Sequence, residues 1–107
     1  MATGRIGAVD LAAATYNIVA TATSGTVTVA NVNICNRNSA SVRVRLAIED
    51  GSSGTPADED FIEYDYNLAG NGVLERTGLV LAAGHSIVAY SDTANVSVQA
   101  WAIEESA

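Results

Sequence analysis

Three features of the sequence predict a small all-β domain, an antiparallel β-sandwich or jelly roll of about seven to eight short strands. The first is strict two-residue alternation. Across residues 41–49, Val42, Val44, Leu46 and Ile48 fall on one side, and Ser41, Arg43, Arg45, Ala47 and Glu49 on the other. That is the period of a half-buried strand. The second is spacing: short apolar segments recur along the chain between Gly, Asn, Asp and Ser turn signals, and no helical period lasts longer than a turn. The third is composition. Hydrophobic residues make up 49% of the 107 residues, much of it Ala and Val. This excludes a disordered chain, and small β-branched side chains suit a pleated sheet better than a long helix. A chain of this length makes one domain with a modest core.

Residues 1–14 (MATGRIGAVDLAAA) scatter Ile6, Val9 and Leu11 among Gly and Ala and sustain no period. They read as an extended N-terminal segment, either an edge strand or an arm ordered against a neighbour, with the sandwich itself in residues 15–107. Residues 16–23 (YNIVATAT) form a strand ended by Ser24-Gly25. Residues 26–37 are long for one strand. Val27 and Val29 share one parity and Val32 and Ile34 the other, so a one-residue bulge is expected near Ala30-Asn31. The polar quartet Asn36-Arg37-Asn38-Ser39 then turns the chain into the alternating strand as a hairpin.

Residues 50–60 (DGSSGTPADED) are acidic, hold the one Pro and have no period, which predicts an exposed loop. In residues 61–66 (FIEYDY), Ile62, Tyr64 and Tyr66 share a face opposite Glu63 and Asp65. Asn71-Gly72 signals a turn, and strands follow over residues 73–81 and 86–90. The last strand spans residues 95–103, with Val96, Val98, Ala100 and Ala102 on one face and Trp101 and Ile103 on the other.

The formal net charge is −7, and all five basic residues are Arg. An acidic chain repels phosphate, so no nucleic-acid partner is expected. No basic amphipathic stretch or long apolar run points to a membrane. The first five residues lack the apolar core of a signal peptide, which predicts a chain kept in the cytoplasm where it is made. The lone Cys35 has no partner for an internal disulfide.

Little in the chain suggests catalysis. One Cys and one His cannot fill a zinc site. Cys35 and His85 could pair as nucleophile and base, but no local signature supports it. Cys35 reads instead as a small core residue on a central strand and His85 as a turn residue. Asp50, Asp58, Glu59 and Asp60 offer oxygens for calcium, yet follow no EF-hand spacing and read as a solvated loop. No catalytic residue, metal ligand or cofactor is assigned, and no enzyme activity is expected. Two features point to association. Trp101 and Ile103 lie on an otherwise polar face, either as a partner surface or turned inward by a second bulge. Arg43 and Arg45 face outward, either toward carboxylates of a partner or toward Glu63 or Glu75 within the domain.

A resemblance adds to this reading. The phrases VNICNR (32–37), FIEYD (61–65), GVLERTG (72–78), AGHSIVAYS (83–91) and ANVSV (94–98), in this order, resemble small virion structural proteins of tailed bacteriophages, including cyanophages. The resemblance covers roughly residues 15–103. It rests on strands and turns, so it carries over no functional residue. It implies a non-enzymatic β-sandwich module of a virion, assembled in the host cytoplasm. The first expectation is a capsid decoration (cement) protein, a homotrimer that bridges subunits of the major capsid protein. Arg5 and Ile6 on the N-terminal segment, with Arg43, Arg45, Trp101 and Ile103, are the expected contacts. The alternatives are a tail, baseplate or fibre component, and a carbohydrate-binding module using Tyr64, Tyr66, Tyr90 and Trp101.

Overall fold

The alternation resolves into eight strands in a computed structural model that describes residues 3–106. They are β1 (Thr3–Leu11), β2 (Asn17–Thr21), β3 (Thr26–Asn36), β4 (Val42–Glu49), β5 (Phe61–Leu68), β6 (Val73–Leu81), β7 (Ser86–Ser91) and β8 (Val96–Ser106), with one 3-10 turn at Asp58–Asp60. The first two residues of the N-terminal segment lie outside the described residues.

The strands form two four-stranded antiparallel sheets. The first has the order β1-β8-β3-β6 and the second β2-β7-β4-β5. Within these orders β1 pairs with β8, β2 with β7, β3 with β6 and β4 with β5. This is a nested antiparallel ribbon wound into two layers. It is the jelly-roll alternative, and not the immunoglobulin-like one, among sandwiches of this size. The core lies between the layers. Val32, Ile34, Val96, Val98 and Ala100 of the first sheet meet Val44, Leu46, Ile87 and Ala89 of the second, all essentially buried.

Two sequence expectations change here. The turn over Asn36–Ser39 does not make a hairpin, because β3 and β4 belong to different sheets. The one sequence-adjacent pair within a sheet, β4 and β5, is joined by the long acidic loop instead. The chain crosses sheets at residues 36–42 because buried Asn36 ties the corner. Its amide nitrogen lies 2.9 Å from Ala40 O, 3.2 Å from Leu68 O and 3.1 Å from Ala69 O, while its oxygen accepts the Asn38 N–H at 2.9 Å. The second correction concerns β3. It pairs with β8 in unbroken register from Thr26 to Asn36. Val27 and Val29 are therefore on the outer face, and no slip brings them inward. The extra residue sits in β6, beside Gly78 with its positive φ of 69°.

Register shifts recur at every edge. β1, β2 and β6 each carry one against their inner neighbour and β5 carries two, whereas the central pairs β3–β8 and β4–β7 run without interruption. The two open sides of the sandwich are also closed. On one, Arg76 of β6 donates from Nε (3.0 Å) and Nη2 (2.7 Å) to Glu63 Oε2 of β5. On the other, β1 crosses β2 so closely that a Cβ on Gly7 would lie 2.0 Å from Val19 O.

Candidate functional site

The two outer faces of the sandwich differ, and the difference starts in the strands. On the second sheet Ile18, Val88, Ala47 and Phe61 form one cross-strand row on the outer face. Val88 and Ala47 are almost completely buried although they stand outside the core. The acidic loop packs at the end of this row, against Ile18. Glu49, at the end of β4, is buried and accepts hydrogen bonds from the Ser53 hydroxyl and, at 3.0 Å, from the Gly54 N–H. This strap lays Gly54 over Ile18, where an added Cβ would sit 3.7 Å from the Ile18 Cδ1. The same bonds, led by that from Ser53, hold the Glu49 carboxyl below the usual carboxylate range. Asp58 and Glu59 of the loop are exposed, Asp60 accepts the Ala57 N–H at 2.9 Å, and the backbone is anchored through Gly54.

Beside this row lies an aromatic cluster built around Arg45. Its guanidinium stacks 4.1 Å from the Tyr64 ring centroid and 4.7 Å from that of Tyr90. Its Nε donates to Asp65 Oδ1 at 2.6 Å and its Nη1 to the Tyr16 hydroxyl at 2.7 Å. Tyr16 packs on Tyr90 with centroids 4.9 Å apart, and Phe61 meets Tyr64 edge-on at 5.0 Å. The bond to Asp65 raises the Arg45 pKa further above its already high value, and the same bond pulls Asp65 down.

Arg43 and Arg45 therefore do not pair with Glu63 or Glu75. Asp65 takes Arg45, the Arg43 Nη1 reaches Asp65 O at 3.3 Å, and Glu63 is held by Arg76. Asp65 reaches this position through a positive φ of 52°, which shifts β5 so that Tyr66 opposes inward-facing Val44. Tyr64 and Tyr66 thus part company, contrary to the expectation that they share a face.

The outer face of the first sheet has no such cover. Ile103 of β8, Val29 of β3 and Val80 of β6 are direct cross-strand partners. Trp101 lies two residues to one side of this row, next to Arg5 of β1. Val27 and Glu105 lie two residues to the other side and face each other. Val80 is 68% exposed, Ile103 58% and Trp101 45%. Trp101 is thus on the outside, and the unbroken β3–β8 register leaves no bulge to turn it inward. A shallow concavity of about 290 Å³ runs beside it, lined by Thr3, Gly4, Val29, Asn31, Trp101 and Ile103 among others. Five large apolar side chains collected on one face exceed the scattered exposure normal for a monomer.

The remaining candidates are dispersed. Ile6 is partly buried and packs against the core, so it is not an exposed contact. Cys35 is on a central strand but points to the outer side, opposite Ser97 and Val73. His85 sits in the β6–β7 turn, its Nε2 3.2 Å from Asp50 Oδ1, so the two do not form a nucleophile–base pair. Among the described residues no three acidic, His or Cys side chains gather as a metal site, and no helix is long and apolar enough to cross a membrane.

Charge is also divided. The second sheet with its loop and the adjoining Asp92 carries eight of the 12 acids and two arginines; the first sheet, with Arg37 paired to Asp10, carries four acids and three arginines. The formal charge is −6 on one half and −1 on the other. The bare apolar face belongs to the nearly neutral half. The chain matches no family model, no curated protein and no solved structure.

Proposed function

We propose that this protein is a structural component of a tailed-bacteriophage particle. Its role is that of a decoration protein that sits on the head and stabilises it by bridging capsid subunits. The observation that carries the reading is the outer face of the first sheet, with Val27, Val29, Val80, Trp101 and Ile103 exposed together. The opposite face is strapped and all four edges are irregular, so this face is the surface that meets other chains. The jelly-roll winding supports the reading by analogy alone, since that architecture serves capsid and lectin domains alike. The phage-like strand phrases of the sequence supply the particle.

The test is a reconstruction of the particle together with an add-back experiment. Purified protein should bind heads that lack it and raise their resistance to heat, and density for it should lie on the head lattice. Density on the tail would replace the decoration role with a tail component. Absence from the particle would end the virion reading. A Trp101→Glu, Ile103→Glu variant should remain folded and lose head binding at least tenfold, because two charges then stand at the contact.

A further inference from the structure

We infer that one end of the sandwich interior is a binding cleft for a small neutral molecule rich in hydroxyl groups, with the size and chemistry of a single sugar. The cleft has a volume of about 270 Å³ and is lined by Arg5 and Ile6 of β1, Thr21 of β2, the adjoining Ala22 and Thr23, Thr28 of β3 and Glu104 of β8. None of these is among the five exposed apolar residues of the outer face, so the inference stands apart from the particle reading.

Parity shows that the cleft is cut into the core. The inward series of β3 runs Thr26, Thr28, Ala30, Val32, Ile34, and that of β8 runs Val96, Val98, Ala100, Ala102, Glu104. The two strands are antiparallel, with Ala30 opposite Ala102 and Thr28 opposite Glu104. Toward this end the buried side chains therefore shrink to alanine and then turn polar. The facing sheet does the same. Thr21 and Ser86 are cross-strand partners with hydroxyls 2.9 Å apart, and Ser86 is fully buried. A small domain thus gives up apolar burial here, and places a carboxylate at 6% exposure and a hydroxyl at 1%. The Thr28 hydroxyl has no hydrogen-bond partner among the described residues. An orphan buried hydroxyl is uncommon and costs stability, and this one belongs to a residue that lines the cleft.

The wall selects the ligand. The Glu104 carboxylate, when ionised, only accepts hydrogen bonds and repels anions. Its Oε2 lies 3.1 Å from the Thr26 hydroxyl, whose one proton also faces Thr23 O at 2.7 Å. Threonine hydroxyls both give and accept, so the cleft matches a molecule that brings several O–H groups at once. Ile6, Ala22 and the threonine methyls offer carbon surface to the C–H groups between them. An alkylamine would meet the carboxylate with one group and leave the remaining hydroxyls unmatched. The volume lies just below the ~300 Å³ at which small-molecule pockets begin, which limits the occupant to about one ring. In the occupied cleft Thr28 turns its hydroxyl onto the ligand, and Glu104 accepts a hydroxyl proton from it.

The test is titration of the purified chain with glucose, galactose and mannose, with butylamine as the control, followed by amide NMR shifts. No particle is present, so failure leaves the virion assignment untouched. At least one hexose should give saturable shifts at Ala22, Thr28 and Glu104, with a dissociation constant on the order of 1 mM, and butylamine should give none. Thr28→Val keeps the shape of the side chain and removes the orphan oxygen. It should raise the melting midpoint and weaken hexose binding at least tenfold, a pairing that a purely structural threonine does not produce. Glu104→Gln should also weaken binding, with circular dichroism showing both variants folded. No hexose-dependent shift at concentrations well above that value, shifts confined to other parts of the surface, equal shifts with butylamine, or binding that Thr28→Val leaves intact would each overturn the proposal.

Discussion

Asn36 shows how much one side chain can hold. Its amide has two N–H groups and three backbone carbonyls within reach, two of them at the β5–β6 corner and one at the β3–β4 corner. Asn36→Asp removes both donors and puts a carboxylate against those carbonyls. Burial of the unpaired groups should cost about 2–4 kcal/mol, read as a lower free energy of unfolding in urea. Glu49 is the second such residue. Its carboxyl is held below its ordinary value, so the strap contributes stability that is fully present above about pH 4.5 and lost as pH falls through the lowered value. The protection of the Gly54 amide, its exchange rate relative to the intrinsic rate at each pH, should therefore fall in acid well before global unfolding. In Glu49→Ala, which has no acceptor, the same amide should show low protection at every pH. Both roles escaped the sequence reading for one reason. The sequence reads Asn36 as part of a hairpin turn and Glu49 as a strand end, and neither position says which distant carbonyl or loop amide its side chain will meet.

At the scale of the element, local pattern was a good guide where one face is dry. The alternation of β4 and the Val96, Val98, Ala100, Ala102 series of β8 both point inward as their parity requires. It failed where the backbone departs from the pleat. No alternation rule anticipates an Asp in the left-handed region, and Asp65 there is what parts Tyr64 from Tyr66 and delivers a carboxylate to Arg45. β1 is a further case. Its scattered apolar residues sustain no period because β1 is an edge strand with a shift between Arg5 and Gly7. Gly7 is required there by the backbone of Val19. Gly7→Ala should lift β1 from β2 and cost roughly 2–4 kcal/mol. For a domain of this size that is a drop of about 10–25 °C in the melting midpoint.

For the whole molecule, the class of fold was legible and the winding was not. Sandwich spacing is a local property, whereas the pairing of β1 with β8 and β2 with β7 joins the ends of the chain. The candidate surface was half legible. Parity alone put Trp101 and Ile103 together, but Val29 and Val80 join them only through the sheet order, and the phase slip expected in β3 hid Val27 and Val29. The segregation of charge was equally hidden, because the residues that share a half of the molecule are not neighbours in the chain.

The irregular edges have a consequence for how the protein ages. A strand with one residue too many presents its amides and carbonyls out of step with any straight neighbour. All four edges of this sandwich are of that kind. Copies brought close together at high concentration are thus denied the ladder by which β-rich proteins seed fibrils.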